Sequence, residues 1–423
     1  MTRGLMKTAS GIAIAAAAGL FATSAMAADL GVGGNCCADL EERIAELEAT
    51  TARKGNRVVS LTVFGRITQG ILWHDDEWGY REGKLTIRDD DASPTMFGFR
   101  GEAQMRPGLT AGYHFEFGVS ADNGSGLGKK WDDDLDKDLV DSDGISIRYN
   151  YVYLDSETFG RVTLGHASQV TDGLYEISLA NTVVTPGKLN EELAVLNDFL
   201  LAPWAYVFDG HRHQGVYYRS PTLAGFVFSA GYSHDSRAGK HLDATADKTG
   251  FNGREDIWEV ALRYAGEFNG VRIAAGIGYR HEDIYNNNDV VNPNHGEASV
   301  ILGSASIMHM PTGLFVSGGV ADAEIDMDDD LDDRDAKGFW VMAGIEKNFF
   351  GPGTTTLFAE YAESNIDWDD NNKIDNEGKF WGLGVVQRID AAATDLFLKY
   401  RNVDAEHAAD DANVVIGGMR ITY

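Results

Sequence analysis

Beyond Val58 the chain alternates hydrophobic and polar positions with a period of two. Trp258, Val260, Leu262 and Tyr264 share one face, and Glu259, Ala261 and Arg263 the other. Val271, Ile273, Ala275, Ile277 and Tyr279 oppose Arg272, Ala274, Gly276, Gly278 and Arg280. Leu396, Leu398 and Tyr400 oppose Lys399 and Arg401, while Ile145, Ile147, Tyr149, Tyr151 and Tyr153 line up against Arg148 and Asn150. Such a period belongs to strands whose two faces meet different surroundings. Gly-, Asp- and Asn-rich turns divide the pattern into sixteen predicted strands. They cover 58–73, 95–106, 109–120, 144–155, 160–167, 213–220, 224–234, 255–266, 270–282, 298–309, 313–324, 338–349, 354–363, 379–389, 394–403 and 412–423.

Connections alternate in length. Arg106-Pro107-Gly108, Ala265 to Gly270, Met310-Pro311-Thr312 and Phe350 to Gly353 are short, whereas 74–94, 121–143, 235–254, 283–297, 325–337 and 364–378 are long and acidic. The face opposite the apolar one repeatedly carries Arg, Glu, Lys and Gly. Sixteen strands cannot fill their own interior with such side chains, and a barrel of that size encloses water. Turning the apolar face to lipid and the charged face to a lumen satisfies both, and closure pairs every backbone amide. The expected fold is therefore all-β: a 16-stranded antiparallel transmembrane β-barrel over 58–423, with Tyr264, Tyr279, Phe349 and Tyr423 in interfacial girdles.

The N-terminal part differs. Arg3 and Lys7, the apolar stretch Gly11 to Phe21 and the small-residue run Ala25-Met26-Ala27 form an export signal over 1–27. Segment 28–57 contains Asp39 to Lys54, rich in good helix formers and without glycine or proline, with Leu40, Ile44, Leu47 and Thr51 at the spacing of a heptad seam. It suits a helix docked on the barrel, a small bundle where subunits meet, or a tether to periplasmic partners or the cell wall. Cys36 and Cys37, the only cysteines, exclude a disulfide framework; free thiols or inter-subunit bridges remain for them.

Charge narrows the function. The chain has 36 Lys+Arg against 65 Asp+Glu, a net charge of −29, and loss of Arg3 and Lys7 with the signal takes this to −31. A polyphosphate would be repelled, which excludes nucleic-acid binding. No apolar run reaches the roughly 18 residues of a membrane helix. An exported β-rich hydrolase is the rival class, yet the sequence holds no HExxH, no GxSxG elbow and no matched cysteine nucleophile. Asn123 to Lys130 departs from a phosphate loop, because Asn123 stands where a glycine belongs and no Ser or Thr follows Lys129. His211 and His213 lack an evident third metal ligand.

Several phrases, taken in order, resemble the alphaproteobacterial general porins. They are CCADLEERIAELEATTARKGNRVVSLTVFGRITQGILW from Cys36, then TMFGFRGEA, YVYLDSETFGRVTLGHAS, VYYRSPTLAGFVFSAGY and the final GGMRITY. The resemblance implies a 16-stranded outer-membrane barrel, a homotrimer, and passive diffusion of small hydrophilic solutes past an inward-folded third loop. The interruption at about 168–212 suits that loop, being long and without alternation. It carries Asp172, Glu176, Glu191, Glu192 and Asp198, and Leu189, Leu193, Leu196 and Leu200 have the spacing of a short helix. Facing this acidic arc, strand parity selects Arg66, Arg100, Arg148, Arg263, Arg272 and Arg401 as a basic wall. Such rings of charge set selectivity without any chemical step or cofactor, and the net acidity predicts a preference for cations. Trp204, Tyr206, Phe208, Tyr217 and Tyr218 near the loop offer an aromatic slide for a sugar channel, or packing. The acidic runs 326–335 and 367–375 offer carboxylates for Ca2+ that would bridge to lipopolysaccharide, but without EF-hand spacing.

Overall fold

The alternating segments form strands, and nearly every strand hydrogen-bonds antiparallel to the next in sequence. The computed structural model describes residues 59–75, 85–89, 94–120, 144–184, 186–188, 208–234, 253–286, 294–327, 333–368, 376–406 and 411–423. The export signal, the Leu40–Thr51 seam, the cysteine pair and Asn123 to Lys130 lie outside them, as do Glu191, Glu192, Asp198 and the leucine-spaced helix.

The strands are β1 (Thr62–Asp75), β2 (Leu85–Arg88), β3 (Met96–Arg106), β4 (Leu109–Ser120), β5 (Gly144–Ser156), β6 (Gly160–Ser168), β7 (Arg212–Arg219), β8 (Phe226–His234) and β9 (Gly253–Phe268). They continue with β10 (Val271–Asn286), β11 (Asn294–His309), β12 (Leu314–Met327), β13 (Arg334–Lys347), β14 (Thr355–Trp368), β15 (Asn376–Ile389), β16 (Thr394–Ala405) and β17 (Ala412–Thr422). β2 and β3 both pair with β1, at Gly70–Trp73 and Thr62–Arg66 respectively, so together they occupy one stave. β17 pairs with β1 and closes a barrel of sixteen staves.

Local chemistry sets the hairpins. At the β9–β10 connection Asn269 and Gly270 both have positive φ, 49° and 78°, the two-residue turn whose twist matches the flanking strands. Within the longer connections expected at 283–297, 325–337 and 364–378, residues 283–286, 294–297, 325–327, 334–337, 364–368 and 376–378 are strand, because β10 to β15 extend beyond the apolar band. β2 likewise lies inside the expected loop 74–94.

Parity decides which side chains meet lipid. On β11 Ile301 is 51% exposed while Val300 and Leu302 are 1% exposed. The outward row holds Ile67, Ile71, Leu262, Ile277, Val316, Val341, Leu383 and Leu398, all exposed. β5 departs from the expected facing. Its register with β4 shifts between Glu116 and Phe117, leaving Arg148 as an extra residue. A bulge of one residue reverses which face the following side chains take. Ile145 and Ile147 therefore join the exposed lipid row, whereas Tyr149, Tyr151 and Tyr153 turn into the lumen.

Candidate functional site

The functional site is built where the chain after β6 leaves the wall and folds inside the barrel. Its root is held by Glu259 of β9, whose carboxylate accepts from the backbone N–H of Val170 (2.6 Å), that of Thr171 (2.9 Å) and Thr171 Oγ1 (2.7 Å). Leu174 then rests on β10 over Gly276 and Gly278, where a Cβ would lie 2.5 Å from its methyl carbons. On β11, Ser304 Oγ donates to the Leu174 carbonyl (2.6 Å) and accepts from Ile177 N–H (2.9 Å), and Ser306 Oγ accepts from Leu179 N–H (3.0 Å). Trp340 of β13 donates its indole N–H to the Tyr175 carbonyl (2.6 Å). Farther round, Glu346 accepts from Asn181 N–H, Asp395 of β16 from the Asn181 amide, and Arg420 of β17 donates to Asn181 Oδ1. The loop thus crosses the inner wall from β9 to β17. Small residues on the wall and hydroxyls pointing inward let its backbone lie close without leaving buried amides unpaired.

The loop also carries its own charge cluster. Lys188 Nζ lies 2.5 Å from Asp209 Oδ2 and 3.1 Å from Glu176 Oε2. Asp209 also accepts from Gly173 N–H at 2.9 Å. Ser168 donates to Asp172, whose backbone carbonyl accepts from Arg263 Nη2 at 2.6 Å. Burial, reinforced by the neighbouring charge of Asp209, pushes the Asp172 carboxyl up to about 6. Burial also raises Glu176 against the pull of Lys188. For the Lys188 ammonium burial acts downward, but Asp209 and Glu176 outweigh it and hold it above the usual range.

The sequence signature described as Gram-negative porin matches residues 13–410. The chain belongs to the Gram-negative porin family. It is a transmembrane β-barrel of the outer membrane, and family and fold point to a non-enzymatic channel. No curated protein matches it at the level of sequence. Solved porin structures share its fold at low identity. An anion-selective porin from Comamonas acidovorans is 15% identical with a TM-score of 0.59, over 86% of this chain and 100% of that one. The trimer form of OmpT from Vibrio cholerae gives 14% and 0.56, over 86% and 100%. OmpF of Salmonella typhi, in complex with daunomycin, gives 12% and 0.53, over 86% and 97%.

Within this porin the residues singled out by sequence take different places. Asp172 and Glu176 sit in the loop, in the cluster just described. Arg263 and Arg401 touch the loop; Arg401 donates to the Lys188 carbonyl (2.7 Å) and to Glu360 (2.7 Å), with its guanidinium 4.6 Å from the Phe380 ring centre. Arg148 bonds Glu116 at 2.8 Å across the lumen side of β4 and β5. Arg66 donates to the Pro94 carbonyl, and Arg100 lies 5.1 Å from the Phe64 ring centre. Arg272 is away from the loop, paired with Glu267 beside the β9–β10 turn. Sequence reasoning passed over Lys188, Asp209, Glu259 and the serines 304 and 306; a lysine or serine between apolar neighbours gives no period-two signal of its own.

Among the described residues, the aromatics offered as a slide or as packing take packing and outward positions. Phe208 packs on Tyr175 with ring centres 5.5 Å apart, Tyr217 is buried, Tyr218 faces outward, and Trp204 and Tyr206 lie outside the described residues. The His211 and His213 rings are 6.5 Å apart. Among the described residues, His281, Asp283 and Glu297 on the outer face of β10 and β11 bring metal-ligating atoms within 4.8 Å of one another. Most of the acidic runs expected to hold Ca2+ lies outside the described residues.

Proposed function

We propose that this porin is a homotrimeric, water-filled pore for passive diffusion of small hydrophilic solutes, with a preference for cations at its outer mouth. The observation that carries it is the loop crossing the inner wall of a closed, lipid-facing barrel while bearing Asp172, Glu176, Lys188 and Asp209. A charged constriction inside a wide barrel sorts solutes by size and charge without reacting with them. Cation preference is supported by the outer strand ends, where Glu324, Asp326, Asp335, Glu363, Asp367, Glu377 and Asp404 face outward against Lys337 and Lys379. The trimer is supported by the trimer form of the Vibrio OmpT relative.

The test is conductance of the detergent-purified protein in a planar bilayer under a KCl gradient. The expected result is stable stepwise current in groups of three, with a reversal potential favouring K+. Silence from protein shown to be folded by heat-modifiable migration on a gel overturns the open-pore reading.

A further inference from the structure

The loop covers the wall from β9 to β17, and the lumenal face of β3 to β7 carries a different set of residues. Because of the bulge at Arg148, Tyr149, Tyr151 and Tyr153 descend that face from the constriction towards the short turn after β5. At a strand rise of about 3.3 Å per residue they span about 13 Å. Their rings are 5.9 Å and 6.4 Å apart, centre to centre. His114 stacks on Tyr151 at 5.2 Å and an interplanar angle of 5°, and Phe64 lies beyond it at 5.1 Å. Tyr153 lies over Gly112: a Cβ there would point into the lumen and come within 2.2 Å of the ring. The ring is therefore laid along the wall, with one face on the glycine.

Guanidinium groups bracket this column. Arg212 lies 5.0 Å from the Tyr149 ring centre, Arg161 4.1 Å from that of Tyr153, and Arg100 5.1 Å from that of Phe64. Arg161 and Arg219 are direct cross-strand partners on β6 and β7 and have one neighbouring carboxylate, Asp155, already bonded to Arg161. Like charges directly opposite one another destabilise a sheet. Among the described residues, no carboxylate lies within ion-pair distance of Arg100, Arg212 or Arg219. A wall that keeps a repelling pair of arginines beside a column of tyrosine rings suits a planar anion. Its ring would stack on tyrosine and its charge would meet the guanidinium fork.

We infer that the face of β3 to β7 is a binding track for aromatic carboxylates on their way through the pore. This rests on the pore reading above, and it assigns the solute class that the constriction alone leaves open. A neutral sugar would also stack on the rings, but it gives Arg219, which among the described residues has no carboxylate of its own, no partner.

The experiment is current block in planar bilayers at fixed KCl, expressed as a fraction of each variant's own open current. Benzoate is the probe; cyclohexanecarboxylate carries the same charge without a flat ring, benzylammonium the ring with the opposite charge, and maltose neither. Benzoate should half-block at a concentration about tenfold below each of the other three. Tyr151→Leu and Arg219→Gln should each weaken that block about tenfold, Tyr151→Phe should retain it, and Arg272→Gln, at the rim, should not alter it. Equal block by benzoate and cyclohexanecarboxylate overturns the inference, as does tighter block by maltose. So does a benzoate block indifferent to both Arg219→Gln and Tyr151→Phe/Leu exchange. A protein that passes no KCl current fails the pore reading instead, and gel migration shows whether each variant has folded.

Discussion

Lys188 shows how one side chain holds the constriction together. Asp209 is 2% exposed in its side chain, and both it and Glu176 depend on that ammonium. Removing one partner of a buried ion pair costs on the order of 3 kcal/mol because the remaining charge is left uncompensated. Lys188→Met should therefore lower the temperature at which the folded form is lost on gels and make single-channel current noisier. Gly319 acts by absence: a Cβ there would lie 2.4 Å from the Trp340 indole nitrogen and 2.7 Å from the Tyr175 carbonyl that it serves. Gly319→Val should push the loop off the wall and raise single-channel conductance. Asp172 gives a pH signature. With its carboxyl raised to about 6, it is ionised at pH 8 and takes up a proton as pH falls through 6. That subtracts a negative charge from a cluster otherwise made of Asp209, Glu176, Lys188 and Arg212. The reversal potential should accordingly shift away from K+ between about pH 7 and pH 5, and Asp172→Asn should abolish the shift. At this scale the sequence was informative where parity applied, as for Arg263 and Arg401. It was silent where partners are distant along the chain, as for Lys188 with Asp209 or Glu259 with Thr171.

Among the elements, strands were the most legible feature, since an apolar side facing lipid must repeat every second residue. The reading failed at strand ends. Carboxylates such as Asp326, Asp335 and Asp367 look like loop residues by composition, but the ladder of neighbouring strands carries their backbone beyond the lipid band. It failed again at β5, where five consecutive odd positions suggested one face and a single extra residue divides them between lipid and lumen. Nothing in the local sequence marks that bulge; it follows from the pairing with Glu116 and Phe117. Deleting Arg148 would force Ile145 and Ile147 inward or unpair them from β4. The deletion should reduce heat resistance far more than Arg148→Ala, which loses only the bond to Glu116, and gel migration against temperature compares the two.

For the whole molecule the main question is where the excess negative charge acts. Much of it sits at the outer strand ends, exposed to solvent, whereas the constriction charges are buried and paired. Screening separates these populations, because the Debye length falls from about 10 Å at about 0.1 M salt to about 3 Å at about 1 M. The K+ preference should therefore weaken strongly over that range, and the pH shift assigned to Asp172 should persist; reversal potentials at both salt concentrations measure this.

The seam between β1 and β17 has a consequence for how the protein comes to exist. Arg66 pairs with Thr422, 356 positions later, and Gly65 exchanges both backbone hydrogen bonds with Tyr423 at 3.0 Å. The hairpins at the short turns form from neighbours, but this last pairing must wait for the final strand to emerge from synthesis and cross the periplasm. Until then two sticky edges and a greasy flank stand open together, the situation in which chains pair with one another and precipitate. Closure of this seam is thus the pairing of longest sequence separation in the barrel, and an unfinished chain exposes both of its edges until it forms.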